Sequence, residues 1–504
     1  MNKKAGLPFL LAISMAIGVW LGTGLQSPFA KDDRSEARQK MDQIMRYVEE
    51  DYVDTISREN LEDELIAYLL QRLDPHSYYI SEDDLATMQE PLEGGFEGIG
   101  VSFNLRNDTI YIINTIKDGP SDKAGLLPGD QIVGVNGDTI AGTGLDNKTV
   151  MALLKGPSGS DVQVQVKRAN EKDWLSFDLT RGSIAIHSID AAYMYDDTTA
   201  YVKLARFAKT TYQEFQDRVY PLREKGATSI IIDLRSNGGG VLDAATDLAD
   251  EFLEKGKLIT YIEGKNRPRK DYFATEKGRF ENTKLTVIID QFSASASEVF
   301  AGAIQDQKRG TIIGRKSYGK GLVQEENEWS DGSATRLTVA RYYTPNGRNI
   351  QREYESIAST SFSQNDSIEI GGIVPDFEME RDTVGVTWLY AEIVHRGLLN
   401  DFVYAYRDKH FNELKNLDAD AFIANVSIDT IGVDFKQYVQ ENDVFIDESE
   451  WQISHDRMLT RVKAILARSL FDDEVYYRIY NTMDPYVMKA VEWTVFYLIF
   501  YFDV

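Results

Sequence analysis

The spacing of apolar residues divides most of the chain into four regions. Residues 32–93 place apolar side chains at helical spacing, and residues 94–182 alternate apolar and polar positions between glycine-rich turns. Residues 183–376 alternate short apolar strands with helices, and residues 377–504 return to helical spacing with acidic loops. The pattern predicts a mixed α+β and α/β multidomain protein, with a helical N-terminal segment, a β-barrel, an α/β core and a helical C-terminal region.

Residues 1–31 have a different pattern. Lys3 and Lys4 precede an apolar run over residues 5–25, which is long enough to cross a bilayer once. A positive start followed by such a run is typical of a signal peptide or an uncleaved membrane anchor. The alternative is a buried core helix. We expect an exported protein of the periplasm or cell envelope, with residues 5–25 as an inner-membrane tether.

The last apolar run, residues 493–502, is too short to span a bilayer as a helix. It is expected to dock on the body of the protein or on a second copy. Residues 377–504 could cap a site, form a homodimer face or contact another partner, and the sequence leaves these roles open.

Composition excludes several kinds of chemistry. The net charge of −25 disfavours nucleic acid as a partner. The chain has no cysteine, which excludes a thiol nucleophile, disulfides and Cys-ligated zinc. Its 5 histidines are scattered along the chain, so we expect no metal and no cofactor.

Three serines mark a candidate nucleophile. Ser293, Ser295 and Ser297 follow the apolar strand predicted over residues 285–289, where a helix is predicted to begin. Ser295 and Glu298 also have the spacing of a helix capping box, and both roles can coexist. A helix N-terminus carries positive potential and unpaired N–H groups, which suit an oxyanion.

A serine nucleophile needs a base, and no histidine lies in a recognised pattern with these serines. Lys320 lies between Gly319 and Gly321, where a tightly packed backbone could bury its amine and lower its pKa. Serine–lysine pairs are a variant of the catalytic triad. The alternative is a surface lysine in a glycine turn. His76, in a Leu-Asp-Pro-His-Ser turn, is interpreted as a structural residue.

The turn at Gly238-Gly239-Gly240 could in principle hold a phosphate, since it joins a strand to a helix. However, Asp243 occupies the last position of the Gly-x-Gly-x-x-Gly spacing, and no Gly-Lys-Ser/Thr ending follows. Nucleotide binding is therefore not expected.

Residues 94–182 resemble a PDZ domain. The resemblance rests on Gly98-Ile99-Gly100-Val101 and on the segments 119–126, 128–132 and 135–137. In such a loop, backbone N–H groups can hold a terminal carboxylate, and the following strand can accept a peptide by β-addition. The expected partners are proteins or peptides with free C-termini. The alternative is an ordinary β-barrel with glycine turns.

The whole set of motifs resembles the carboxyl-terminal processing (tail-specific) proteases. Besides the PDZ-like region, the matching segments are 73–77, 233–240, 293–298, 319–324, 340–348 and 372–376, in the order of that family.

The resemblance implies specific roles. Ser295 would be the nucleophile, Lys320 the base, and Gln324 would orient the amine. The oxyanion donors would be the amides of Ala296 and of the glycine turn, with Gly239 favoured but another turn amide open. Asp306 matches an acidic position of the family and is interpreted as structural.

The expected function is that of a serine endopeptidase that recognises substrate C-termini and processes or degrades exported proteins. The alternative is a catalytically inactive PDZ scaffold that binds C-termini. A trypsin-type protease would need a Gly-x-Ser-Gly-Gly-like site together with a His–Asp pair, and we recognise no such catalytic set in the sequence.

Overall fold

The structure is a computed structural model that describes residues 36–106, 108–168, 171–353 and 371–500. The predicted signal peptide or anchor lies outside the described residues. The chain divides into two compact units, residues 1–73 and 74–504. In the first, helices α1 (Glu36–Asp51) and α2 (Arg58–Gln71) form as the apolar spacing predicts. The hydroxyl of Ser57 caps α2 by accepting the N–H of Asn60 at 3.3 Å.

The second unit begins with strand β1 (Tyr78–Ile80) and helix α3 (Glu82–Glu93), followed by a β-barrel-like module. Strands β2 (Gly95–Gly98) and β9 (Gly182–Ala185) pair antiparallel where the chain enters and leaves this module. The module's other elements are β3 (Val101–Arg106), β4 (Thr109–Thr115), α4 (Pro120–Ala124), β5 (Gln131–Val135), β6 (Asp138–Thr139), α5 (Asn147–Leu154), β7 (Asp161–Lys167) and β8 (Leu175–Thr180). Its sheet has the order β3-β4-β5-β7-β8, and its apolar core is separate from that of the following region.

The α/β core is built on a six-stranded sheet of order β10-β11-β12-β15-β16-β19. All neighbours pair parallel except β10 with β11. These strands are β10 (Ile189–Met194), β11 (Thr199–Leu204), β12 (Ser229–Asp233), β15 (Lys284–Ile289), β16 (Thr311–Gly314) and β19 (Phe377–Glu378). Helices α6 (Thr211–Glu224), α7 (Leu242–Asp250) and α8 (Ala296–Asp306) alternate with them, as predicted.

Both faces of the core sheet are covered, which explains why its strands are continuous apolar runs. Ile230 and Ile232 point into the core shared with α6, α7 and α8. Ile231 points to the opposite face, where Val487 of the last helix, α16 (Pro485–Phe500), is fully buried. The predicted docking of the terminal apolar run on the body is therefore confirmed for Trp493, whose ring packs against Phe377.

A second sheet supports the glycine–lysine segment. The sequence predicts its strand at residues 335–343 but not the separate sheet that this strand belongs to. This second sheet has the order β1-β18-β13-β14, with β17 paired to β18. Its remaining strands are β13 (Leu258–Gly264), β14 (Arg267–Phe273), β17 (Leu322–Glu328) and β18 (Ala334–Tyr343).

The C-terminal region is helical, as predicted, with its own apolar core. Its helices before α16 are α9 (Trp388–His395), α10 (Leu398–Lys409), α11 (Phe411–Leu414), α12 (Ala419–Asn425), α13 (Ile428–Glu441), α14 (Glu448–Leu470) and α15 (Asp473–Tyr480). Within the described ranges, no helix combines the length and apolar character needed to cross a membrane.

Candidate active site

Two turns meet at the carboxyl edge of the core sheet, where open α/β sheets bind their ligands. One turn follows β12 and the other follows β15, its parallel neighbour. The N–H of Ala294 donates to the carbonyl of Asn237 at 3.0 Å, which joins the serine turn to the glycine turn.

The structure separates the roles of the three serines. Ser293 is buried and its hydroxyl donates to the carbonyl of Leu234 at 2.8 Å. Ser297 is buried and donates to the carbonyl of Asn237 at 2.9 Å. Both hydroxyls therefore fasten the serine turn to the turn after β12. Ser295 is partly exposed and lies between these two anchors.

Ser295 has an unusual backbone conformation, with φ of 56° and ψ of −115°. A side chain in this region is strained, and such strain is concentrated at functional sites. Ser295 is also the N-cap of α8, and its N–H donates to Glu298 Oε2 at 2.9 Å, as the predicted capping box requires. The amide of Ala296 is the first of the helix and lies beside the hydroxyl-bearing residue.

Gly239 packs directly against this turn. Its φ is 97°, and a Cβ at this position would lie 2.7 Å from Ser295 Cβ and 2.9 Å from the amide nitrogen of Ala296. Its own N–H donates to Asn237 Oδ1 at 2.9 Å. The predicted oxyanion amides of Gly239 and Ala296 are therefore neighbours, but the first is engaged within its turn.

Glu298 joins the serine turn to the lysine segment. It is fully buried, and burial raises the pKa of its carboxyl group. Beyond Ser295, its oxygens accept hydrogen bonds from the Ser317 hydroxyl at 2.5 Å, the Gly319 N–H at 2.7 Å and the Lys320 N–H at 2.8 Å. One carboxyl group thus fixes the backbone of both predicted catalytic residues. The capping-box spacing indicated Glu298, but local spacing does not reveal its contacts with the lysine segment.

Lys320 is half-buried, and burial lowers the pKa of its amine, with the charge of Arg336 acting in the same direction. Asp74 and Glu298 oppose this effect. Between the described residues, no hydrogen bond joins the Lys320 amine to the Ser295 hydroxyl. The two residues share a tether through Glu298 but not a direct bond.

Gln324, four residues after the lysine, does not contact its amine in this structure. Its Nε2 donates to the Thr338 hydroxyl at 3.3 Å. The imidazole of His76 is a neighbour of Lys320. Burial lowers the pKa of this imidazole, and the charge of Lys320 acts in the same direction. Its backbone N–H donates to Asp74 Oδ1 at 2.8 Å, consistent with a structural turn.

Tyr342 is a site residue that sequence reasoning did not single out. It is 3% exposed, and its hydroxyl is buried without a regular hydrogen-bond partner among the described residues. The hydroxyl faces Ser295, and burial raises the pKa of the phenol well above its usual value. A neutral phenol therefore borders the predicted nucleophile. The sequence shows Tyr342 in a Tyr-Tyr-Thr-Pro segment, but it does not show that the hydroxyl points to Ser295.

The predicted peptide-binding loop lies at one end of the β3-β4-β5-β7-β8 sheet. The carbonyls of Ile99 and Gly100 accept the amides of Ser121 at 3.0 Å and Ile116 at 2.9 Å, and Gly100 has a φ of 76°. Val101 begins β3, the end strand of that sheet among the described strands, and Gly98 bridges to Lys155 at the end of α5. An edge strand beside a helix can accept a peptide by β-addition.

Within the described parts of the chain, no cluster of three or more His, Asp or Glu side chains could hold a metal ion.

Comparison with known families matches three parts of the chain. Residues 198–378 match peptidase family S41, residues 98–179 match the PDZ domain, and residues 389–472 match a family of unknown function. The predicted PDZ resemblance is therefore confirmed.

Relatives extend the match beyond these segments. The carboxy-terminal processing proteases CtpA and CtpB of Bacillus subtilis (strain 168) are 31% and 29% identical to the chain over 360 and 376 residues. These alignments cover 70% and 74% of this chain, and 76% and 77% of the relatives. A solved structure titled photosystem II D1 C-terminal processing protease is 27% identical, with a TM-score of 0.38 over 68% of this chain and 86% of that one. The chain belongs to the carboxy-terminal processing proteases, serine peptidases of family S41 that carry a PDZ domain.

Proposed function

We propose that this peptidase uses a Ser295–Lys320 dyad as nucleophile and general base. The observation that carries the proposal is the Glu298 carboxyl group, which holds the backbone of both residues from one buried point. The lowered pKa of Lys320 supports its role, because a base must be neutral at working pH. The partial exposure of Ser295, between two buried serines used as anchors, supports its role as nucleophile.

The proposed reaction follows from this geometry. The neutral Lys320 amine takes the proton of the Ser295 hydroxyl, and Oγ attacks the carbonyl carbon of the scissile peptide. The amides of Ala296 and Gly239 hold the resulting oxyanion, for which Gly239 must exchange Asn237 Oδ1 for the substrate. Lys320 then protonates the leaving amine, and water hydrolyses the acyl-enzyme by the same proton transfers.

Gln324 is proposed to orient the Lys320 amine. In the present structure its Nε2 donates to the Thr338 hydroxyl, so the role requires the Lys320 side chain to rotate toward the Gln324 carboxamide. The backbone of Lys320 is already fixed by Glu298, so this change involves the side chain alone.

The PDZ domain is proposed to capture a substrate's free C-terminus through Gly98, Ile99, Gly100 and Val101. The end strand β3 supports this by offering an unpaired edge within the described structure. The apolar pattern of residues 5–25 supports action on exported proteins.

The test uses a purified protein substrate that ends in an apolar residue with a free carboxylate. Ser295→Ala and Lys320→Ala should each abolish cleavage, and C-terminal amidation of the substrate should reduce it strongly. Persistent cleavage by either variant contradicts the dyad, and equal cleavage of the amidated substrate contradicts capture. The inactive-scaffold alternative predicts peptide binding by the wild-type protein without any cleavage.

A further inference from the structure

A buried carboxylate lies behind the lysine segment, outside the residues assigned above. Asp74 is 5% exposed and belongs to the turn that precedes β1. Its Oδ1 accepts the N–H groups of His76 and Ser77, both at 2.8 Å, and its Oδ2 accepts the Ser77 hydroxyl at 2.6 Å. These bonds fix the carboxylate rigidly in place.

Asp74 connects to Gln324 through one side chain on β18. The hydroxyl of Thr338 donates to Asp74 Oδ1 at 3.2 Å and accepts from Gln324 Nε2 at 3.3 Å. The N–H of Thr338 donates to the Ser77 hydroxyl at 3.0 Å, which fixes the strand against the turn. Gln324 and Thr338 are also register partners in the β17–β18 pair, next to an irregularity between Val323 and Gln324. The orientation of the Gln324 carboxamide therefore depends on Thr338 and, through it, on Asp74.

Asp74 also acts on Lys320 through charge. The charged groups that act on the amine are Arg336 from β18, Glu298 from α8 and Asp74 from its turn, and His76 is a titratable neighbour. Arg336 is itself paired with Glu326 at 2.5 Å. Glu298 and Asp74 each accept four hydrogen bonds from their surroundings. Asp74 therefore acts on the Lys320 amine from a fixed position.

We propose that Asp74 and Thr338 are positioning residues of the peptidase reaction, which hold the Gln324 carboxamide and set the acid limb of activity through the Asp74 charge at Lys320. This inference rests on the proposed dyad. A negative charge favours the protonated amine, so the Asp74 charge raises the pH at which Lys320 loses its proton. The hydrogen bond from Thr338 to Asp74 keeps the Gln324 carboxamide aligned.

The first test measures kcat/KM against pH for Asp74→Asn. Asn keeps the size and one acceptor oxygen but removes the charge, so the acid limb should move to lower pH by about one unit. A purely structural role would lower the rate without moving the limb. Asp306→Asn is the matched control: Asp306 pairs with Arg348 and accepts the Asn346 N–H at 2.9 Å, and it does not act on Lys320. Its limb should stay in place.

The second test uses Thr338→Val and Thr338→Ser and does not depend on the folding of Asp74→Asn. Val removes the bonds to Asp74 and Gln324, so kcat should fall about tenfold with KM unchanged, and Ser should restore it. An unmoved limb in folded Asp74→Asn, or a wild-type kcat in Thr338→Val, overturns the inference. Lys320→Ala is measured alongside: if it still cleaves, the dyad itself fails, and if it is inactive, only the positioning roles are under test.

Discussion

The two halves of the site are prepared to different degrees. The serine turn is fixed by the hydroxyls of Ser293 and Ser297 and leaves Ser295 in a strained backbone conformation. The lysine segment is fixed at its backbone by Glu298, but the Lys320 amine makes no bond to Ser295 between the described residues. The main chain of the site is therefore in place before substrate binds, whereas the Lys320 side chain must still align with Ser295. Three substitutions probe this difference.

The largest effect is expected where the glycine turn packs on Ser295, the proposed nucleophile. Gly239→Ala places a Cβ 2.6 Å from the Ala294 carbonyl oxygen and 2.7 Å from Ser295 Cβ, so the serine turn must shift. We expect kcat/KM to fall by roughly 10²-fold or more, the scale of a lost oxyanion donor. Gly238→Ala is the control, because its Cβ would meet nothing within 4 Å, and it should stay within about twofold of wild type. Equal losses in both variants would show that close packing is not the reason.

Glu298→Gln should weaken both halves together. An amide cannot accept on both sides as the carboxylate does, so at least one buried donor among Ser295, Ser317, Gly319 and Lys320 loses its partner. An unsatisfied buried donor costs about 1–3 kcal/mol of stability. We expect a fall in kcat of roughly tenfold or more with a lower Tm, measured by peptide hydrolysis and thermal unfolding. An unchanged kcat in this variant would show that the serine turn and the lysine segment do not depend on Glu298 as a common anchor.

The smallest effect concerns the strain at Ser295. Glycine adopts a φ of 56° without penalty, whereas alanine keeps the Cβ that makes it costly. Ser295→Gly should therefore be more stable than Ser295→Ala by about 1 kcal/mol in urea unfolding, while both are inactive. If the alanine variant proves equally stable, the serine turn is not strained. Strain would then not distinguish the serine turn from the lysine segment.

The local sequence pattern predicted the strand and the helix on either side of the proposed nucleophile. The strand at residues 284–289 and the helix at 296–306 are signalled by apolar spacing and by the Ser295–Glu298 capping pair. The same pattern could not separate Ser295 from Ser293 and Ser297. Their hydroxyls are distinguished by bonds to carbonyls about 60 residues earlier in the chain, and no local spacing encodes such contacts.

The second sheet was missed for a related reason. Strand β14 has mostly charged, exposed side chains and shows no apolar alternation. Strand β17 likewise exposes much of its acidic sequence, so neither resembles a buried strand. Because this sheet brings Thr338 to Gln324, the surroundings of the lysine side chain could not be predicted, although Lys320 itself could.

The central claim is that Lys320 activates Ser295, and the rate of Ser295 labelling by a fluorophosphonate across pH tests it most directly. The base must lose its proton to act, so labelling should rise with pH. Because burial lowers the pKa of the Lys320 amine, the midpoint should lie below the ordinary pKa of a lysine. Lys320→Met should lose the labelling and this pH dependence, with Ser295→Ala as the blank. Labelling of Lys320→Met at the wild-type rate, or a wild-type midpoint near that of a free lysine, would contradict the account.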